Sequence, residues 1–253
     1  YHFFTGYFVP LFAQLSANPD QRFAVMSAPP FDHWFELLPG RSPRIVHQAT
    51  AMKEAVLANR RGYAQHYKIQ ALAYWDKWEN FGEKPLRRIA MDMRSHLSHV
   101  VGDISISTPE VLVLGRSHVP SHYAANGTSS YGAGKRNITN LPEIVSALAT
   151  KYDVELVDGA EMSPQEMFVK CSSAKLIVGQ HGAGLTNLFF LPPGAAMMEI
   201  VWPSFLDNAH INIYGPLASQ LGVMWKRPVL QEHPHSEADP EQVLAVAESL
   251  LTN

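Results

Sequence analysis

Lys175-Leu176-Ile177-Val178-Gly179-Gln180-His181-Gly182-Ala183-Gly184-Leu185-Thr186-Asn187 is the stretch on which the reading of this chain turns. An apolar run of strand length enters a Gly-rich turn and continues as a helical pattern over 183–191. In a doubly wound sheet such a turn lies at the carboxyl edge of the strands, where ligands bind. Free backbone N–H groups and the helix dipole there favour a phosphate. Gly182 and Gly184 allow the backbone close to it, and Thr186 and Asn187 offer side-chain donors. The alternative is a tight strand-to-helix turn that holds no ligand, and the turn by itself does not separate the two. The spacing is neither G-x-G-x-x-G nor a Walker loop. Leu185 stands where a P-loop needs its lysine, which counts against an NAD enzyme or an ATPase.

The same alternation extends outward on both sides. Residues 111–114 and 154–157 read as strands, 141–151 as a helix over which Asn140 sits as cap, and 196–201 as a further strand. Ser163, Pro164, Gln165 and Glu166 have the form of a capping box with proline at the first helical position. A helix over 206–221, a strand near Val223 and a helix after Asp239 and Pro240 complete this half. On the amino-terminal side, 22–27 and 44–47 read as strands and 33–38 as a short helix. An aromatic helical face runs from Phe3 to Leu15, with Pro10 expected to kink or interrupt it. Leu86, Ile89, Ala90, Met93, Leu97, Val100 and Val101 form one helical stripe, which leaves Arg87, Arg88 and Arg94 to a solvated face. Residues 102–110 read as a linker, and 121–135 as a loop beside a site. The expected fold is α/β with two Rossmann-like halves, 1–104 and 105–253, each with a parallel sheet, and a C-terminal helix.

Composition sets outer bounds. With 253 residues, 46% hydrophobic and 17% charged, the chain can bury a core in each half. A net charge of −3 gives no basis for a nucleic-acid surface. The single cysteine, Cys171, excludes an intrachain disulfide and sits among apolar neighbours as a structural thiol. The chain starts at Tyr1 inside a helical pattern, so it reads as a fragment, and a targeting signal or membrane anchor outside it stays open. Compartment follows source: ER or Golgi lumen in a eukaryote, cytoplasm in a bacterium.

Two groups of cations fall on the edge that carries the Gly turn. Arg116 follows the strand at 111–114, and Lys135, Arg136 and Asn137 precede the helix at 141. Each arginine alone is an ordinary surface charge. Together they can stabilise a diphosphate leaving group without a metal. No D-x-D or H-E-x-x-H occurs. His118 with His122, and His233 with His235, lie in Pro- or Ser-containing loops and read as solvent-exposed. No metal or other cofactor is expected. Asn126 and Asn137 head glycosylation sequons, and a glycan on Asn137 would conflict with its place beside the ligand.

These residues resemble glycosyltransferase family 61. The resemblance rests on Arg116, on Lys135, Arg136, Asn137, Ile138 and Glu143, and on the Ser163–Glu166 box. Above all it rests on 174–187, followed by Phe190-Leu191-Pro192-Pro193-Gly194 and Glu199-Ile200. At the amino terminus Tyr1-His2-Phe3-Phe4 is similar to an aromatic-His-aromatic segment of the family, but Gly6 stands near where an acidic residue often follows. The resemblance implies a GT-B architecture and an inverting, metal-independent transfer from a UDP-sugar to a glycan or glycoprotein hydroxyl. It implies a donor site made of Arg116, Arg136, Asn137, His181, Gly182, Ala183, Gly184, Leu185, Thr186 and Asn187, with Glu166 and Glu199. Glu199 would meet a ribose or sugar hydroxyl, while Glu166 has the capping box as its alternative reading. His181 either donates to the ligand or braces the turn. His2 is the candidate base, with packing inside an aromatic helix as its alternative reading; Asp32 and Asp92 are poorer candidates. A non-catalytic sugar-nucleotide or glycan-binding relative is the alternative to an enzyme.

Overall fold

The computed structural model describes residues 8–20, 24–26, 32–40, 44–46, 83–116, 137–159, 161–206, 212–229 and 231–252. Its centre is a parallel five-stranded sheet built from β3 (Val111–Gly115), β5 (Val154–Asp158), β6 (Leu176–Gln180), β7 (Ala196–Ile200) and β8 (Met224–Lys226). The spatial order is β5-β3-β6-β7-β8. The first strand is therefore flanked by the second and third, and the chain reverses direction of travel between β3 and β6. That crevice is the switch point of a doubly wound sheet. A parallel pair, β1 (Ala24–Met26) with β2 (Arg44–Val46), lies in the amino-terminal region, and a second pair joins β4 (Asn137–Ile138) to β9 (His235–Ser236).

Helices cover both faces. On one face lie α3 (Leu141–Leu148) and α6 (Pro240–Leu251), packed with Val111, Val113, Leu176, Val178, Met198 and Ile200. On the other lie α2 (Glu83–Val101), α4 (Pro164–Ser173) and α5 (Tyr214–Leu221), packed on Leu112, Ile177 and Met197. All five residues of β6 and of β7 are buried, as strands covered on two faces must be. Alternation along each strand assigns the odd and even positions to different layers. The same apolar cluster takes in α1 (Val9–Ala17), through Phe8, Phe12 and Leu15, and the 3₁₀ turn Asp32–Leu37, through Trp34 and Phe35. Trp34 stacks on Phe190 with ring centroids 5.9 Å apart. The segment before residue 104 thus shares a core with the segment after it.

Local signals explain most element ends. Ser163 accepts from the Glu166 N–H while Glu166 accepts from the Ser163 N–H, so the capping box forms at α4. The Ser163 N–H, and then the Ser163 hydroxyl, donate to the Glu166 carboxylate and hold its pKa below the usual value. Gly222, at φ 73°, closes α5 in the left-handed conformation. Pro10 does not interrupt α1; it lies in the first turn, where its missing N–H is not needed. Asn140 holds the N-cap position of α3, but its side chain makes no capping bond. Its amide instead brackets Ala238, donating to the carbonyl at 2.9 Å and accepting from the N–H at 3.0 Å, which ties α3 to α6. The helix expected over 206–221 is α5, beginning only at Tyr214.

The stripe of α2 holds at Leu86, Ala90, Met93 and Leu97, all fully buried, but Val100 is exposed. Arg88 remains on the wet face, paired with Asp92. Arg94 departs from expectation: it is half-buried and donates to the Phe189 carbonyl at 3.2 Å. Burial, with Arg87 nearby, lowers its pKa. Cys171 is fully buried and its thiol pKa is pushed up by that burial. No described helix is long and apolar enough to cross a membrane.

Candidate functional site

β6 ends at the switch point, and the turn after it is a 3₁₀ helix, Ala183–Phe190, rather than an α-helix. Gly182 and His181 are buried, whereas Ala183 and Gly184 are exposed, so these two residues form the open lip of the turn. Leu185 is a core residue. The Thr186 hydroxyl donates to the Ala183 carbonyl at 2.6 Å and the Asn187 amide to the Gly184 carbonyl at 2.9 Å. Both side chains are buried, so the donors read from the sequence as ligand contacts are spent on holding the turn.

Arg116, one residue beyond β3, reaches across the crevice. Its Nη2 donates to the His181 carbonyl at 3.5 Å. A Cβ built on Gly182 would overlap that nitrogen and approach Cζ to 2.9 Å. A side chain at 182 would therefore push the Arg116 guanidinium off the turn. The carbonyl of Gly182 is taken up from the other side by the Tyr214 hydroxyl at 2.6 Å. The turn is thus clamped between a cation from β3 and a phenol from α5.

Behind the turn lies a buried charge network. Glu199 in β7 has no exposed surface, and its carboxylate accepts from His181 Nδ1, from Trp225 Nε1 at 3.0 Å and from Arg227 Nε at 2.9 Å. The Arg227 guanidinium also stacks over the Trp225 ring, 5.1 Å from its centroid. His181 packs edge-on against Tyr214 at 5.4 Å. This corrects the expectation for Glu199: with both oxygens engaged and no surface, it orients His181 and cannot meet a sugar hydroxyl. The bond from Nδ1 to the carboxylate fixes the His181 ring behind the turn, as the bracing reading expects. Glu166 stands in the capping box described above.

On the opposite face of β6, Gln180 lines a narrow hollow with Leu114, Arg116, Asn137, Ile138 and Leu141. Asn137 is brought there by the pairing of β4 with β9, its N–H donating to the Pro234 carbonyl at 2.9 Å. Arg116, Asn137, Gln180 and the turn are accordingly gathered at one place. Arg136, His2, His118 and His122 lie outside the described residues. His233 and His235 are exposed. Among the described residues, no group of three His, Cys, Asp or Glu side chains could hold a metal ion.

Tyr214, Trp225, Arg227 and Gln231 belong to the site, although no sequence motif singles them out. The one available signal is a cation and an aromatic ring, Trp225 and Arg227, two apart at a strand end. Such pairs are common on surfaces, and only the register of β7 with β8 brings this one to Glu199.

The profile of the family Glycosyltransferase 61 matches residues 1–198. The chain is 30% identical over 141 residues to alpha-1,3-arabinosyltransferase XAT2 of Oryza sativa subsp. japonica, covering 55% of this chain and 21% of that protein. It is 30% identical over 137 residues to beta-1,2-xylosyltransferase XAX1 of the same plant, covering 53% and 21%. It is 32% identical over 118 residues to the EGF domain-specific O-linked N-acetylglucosamine transferase of Bos taurus, covering 39% and 21%. The aligned part spans about a fifth of each of these relatives. With the family profile covering most of its length, and with a parallel α/β sheet whose switch point carries the Gly turn, the chain belongs to the Glycosyltransferase 61 family.

Proposed function

We propose that this chain is an inverting, metal-independent glycosyltransferase of GT-B architecture, with residues 105–253 as its donor-binding half and 1–104 on the acceptor side. It would move a sugar from a UDP-sugar to a hydroxyl of a glycan or glycoprotein. Family membership and the printed names of the relatives, which share glycosyl transfer while differing in sugar, support the reaction class. The observation that carries the donor reading is the placement of the Arg116 guanidinium against Gly182 at the switch point, beside the open lip of Ala183 and Gly184.

In the reaction the acceptor oxygen attacks the anomeric carbon, and the bond from that carbon to the phosphate oxygen breaks. UDP leaves with the electron pair, and the acceptor proton passes to a base. A cation fixed in advance beside the departing diphosphate lowers the barrier without reorganising during the step. Arg116 fits that task, with Arg136 as the second cation. His2 is the candidate base, on the family resemblance alone; His2→Ala should abolish transfer and leave UDP affinity unchanged, and loss of UDP affinity would remove it from that role.

Calorimetric titration with UDP, with and without EDTA, tests the donor reading. Binding that EDTA does not alter is expected. A folded sample that binds no UDP, or binds it only with a divalent ion, would overturn it.

A further inference from the structure

Tyr214 opens α5 and has no exposed surface. Its hydroxyl donates to the Gly182 carbonyl at 2.6 Å, since a carbonyl has no proton to give. The surroundings aim that hydroxyl. The ring packs edge-on against His181 at 5.4 Å, and Glu199 holds the His181 ring through Nδ1. Trp225 carbons lie 2.8–3.1 Å from where a Cβ on Gly215 would stand, so the first turn of α5 rests on the indole that also donates to Glu199. The buried carboxylate thus fixes both the imidazole and the indole against which the start of α5 is packed.

The direction of that carbonyl decides the direction of an N–H. The Gly182 C=O and the Ala183 N–H belong to one planar trans peptide unit and point opposite ways. Tyr214 draws the carbonyl into the core, so the Ala183 N–H turns outward. The next unit is held in the same manner. The Thr186 hydroxyl takes the Ala183 carbonyl at 2.6 Å, which turns the Gly184 N–H away from the buried threonine. Ala183 and Gly184 are the exposed residues of the turn. The first bond of the 3₁₀ helix runs from the Leu185 N–H to the Gly182 carbonyl at 3.0 Å, so the two N–H groups before it have no carbonyl to meet within the helix. Arg116 lies against the same turn. Two outward N–H groups with a guanidinium beside them suit the acceptor oxygens of a diphosphate.

We propose that Tyr214 is a positioning residue of the donor site: through the Gly182 carbonyl it turns the Ala183 N–H toward the diphosphate, and Thr186 does the same for the Gly184 N–H. The proposal rests on the UDP-sugar reading and assigns the residues that shape its phosphate cradle. Peptide units held in advance by two buried hydroxyls need no ordering when the ligand arrives.

The test is titration with UDP of the full chain, carrying ¹⁵N-labelled alanine and glycine, as wild type, Tyr214→Phe and Thr186→Val. Each variant removes one hydroxyl and keeps the packed shape. In wild type the Ala183 and Gly184 amide protons should move downfield as UDP binds. Each variant should weaken UDP binding about threefold to tenfold in calorimetry. The UDP-induced shift should shrink at Ala183 in Tyr214→Phe and at Gly184 in Thr186→Val, a site-by-site pattern that a general loss of stability would not produce. Wild-type affinity in either variant, or amide signals at 183 and 184 that UDP leaves in place, overturns the positioning role while the donor reading stands. A variant that melts lower but keeps its affinity has a hydroxyl that is structural only, and overturns it equally. Absence of UDP binding by the folded wild type overturns the donor reading itself, and this proposal with it. Should Tyr214→Phe fail to fold, the wild-type shifts and Thr186→Val decide alone.

Discussion

Replacing Glu199 by alanine removes one acceptor from three donors at once. Trp225 Nε1 at 3.0 Å and Arg227 Nε at 2.9 Å lose their partner, together with His181 Nδ1. A stranded buried donor costs about 1–3 kcal/mol, and removing one member of a buried ion pair about 3–5 kcal/mol. The Arg227 side chain keeps 11% of its surface and reaches some water, which holds the total near the ion-pair figure and below the sum of three separate losses. In a chain of this size each kcal/mol shifts the melting temperature by roughly 2–4 °C, so Glu199→Ala should melt about 6–20 °C lower. Differential scanning calorimetry reads this directly. A double replacement, Glu199→Met with Arg227→Met, should recover at least about half of the loss, because a well-packed apolar pair avoids the desolvation of both charges. A shift under about 2 °C for Glu199→Ala, or a double variant less stable than the single, would refute the view that this carboxylate organises the back of the site.

Three further outcomes follow from particular contacts. Gly182→Ala should displace the Arg116 guanidinium, and both it and Arg116→Ala should weaken UDP binding by about 1.5–3 kcal/mol, with the double variant no worse than either alone; additive losses in calorimetry would separate the two residues. Ser163→Ala removes the hydroxyl half of the α4 capping box and should cost about 1 kcal/mol in denaturant unfolding without changing UDP affinity. Cys171, buried with its thiol pKa raised, should resist a thiol reagent in the native chain and react on unfolding, and rapid labelling under native conditions would show that this core opens.

How much was legible in the sequence depended on the range of the forces involved. The strand-turn-helix order of 111–200, the capping box at Ser163 and the Gly turn are written in neighbouring residues, because apolar alternation, caps and glycine act over a few positions. Pro10 was legible as a helix signal but not as to its side: one proline either starts or breaks a helix, and the register of Phe8, Phe12 and Leu15 against Trp34 and the rest of the core decided it. Asn140 likewise has the chemistry of a cap, and a partner 98 residues away, Ala238, competed for its amide and won.

By itself the sequence determined the doubly wound half and the edge at which a ligand would lie, and it named Arg116, Gly182 and the turn. Tertiary structure decided what each side chain is for. Only the parallel register of β6, β7 and β8 delivers Glu199 to His181, Trp225 and Arg227, and so turns an apparent ligand contact into a buried brace. Only the fold leaves Gln180 with an acceptor it cannot satisfy internally. Hydrogen bonds and charges across a sheet depend on positions to within an ångström between residues tens apart in the chain, and no local pattern encodes that.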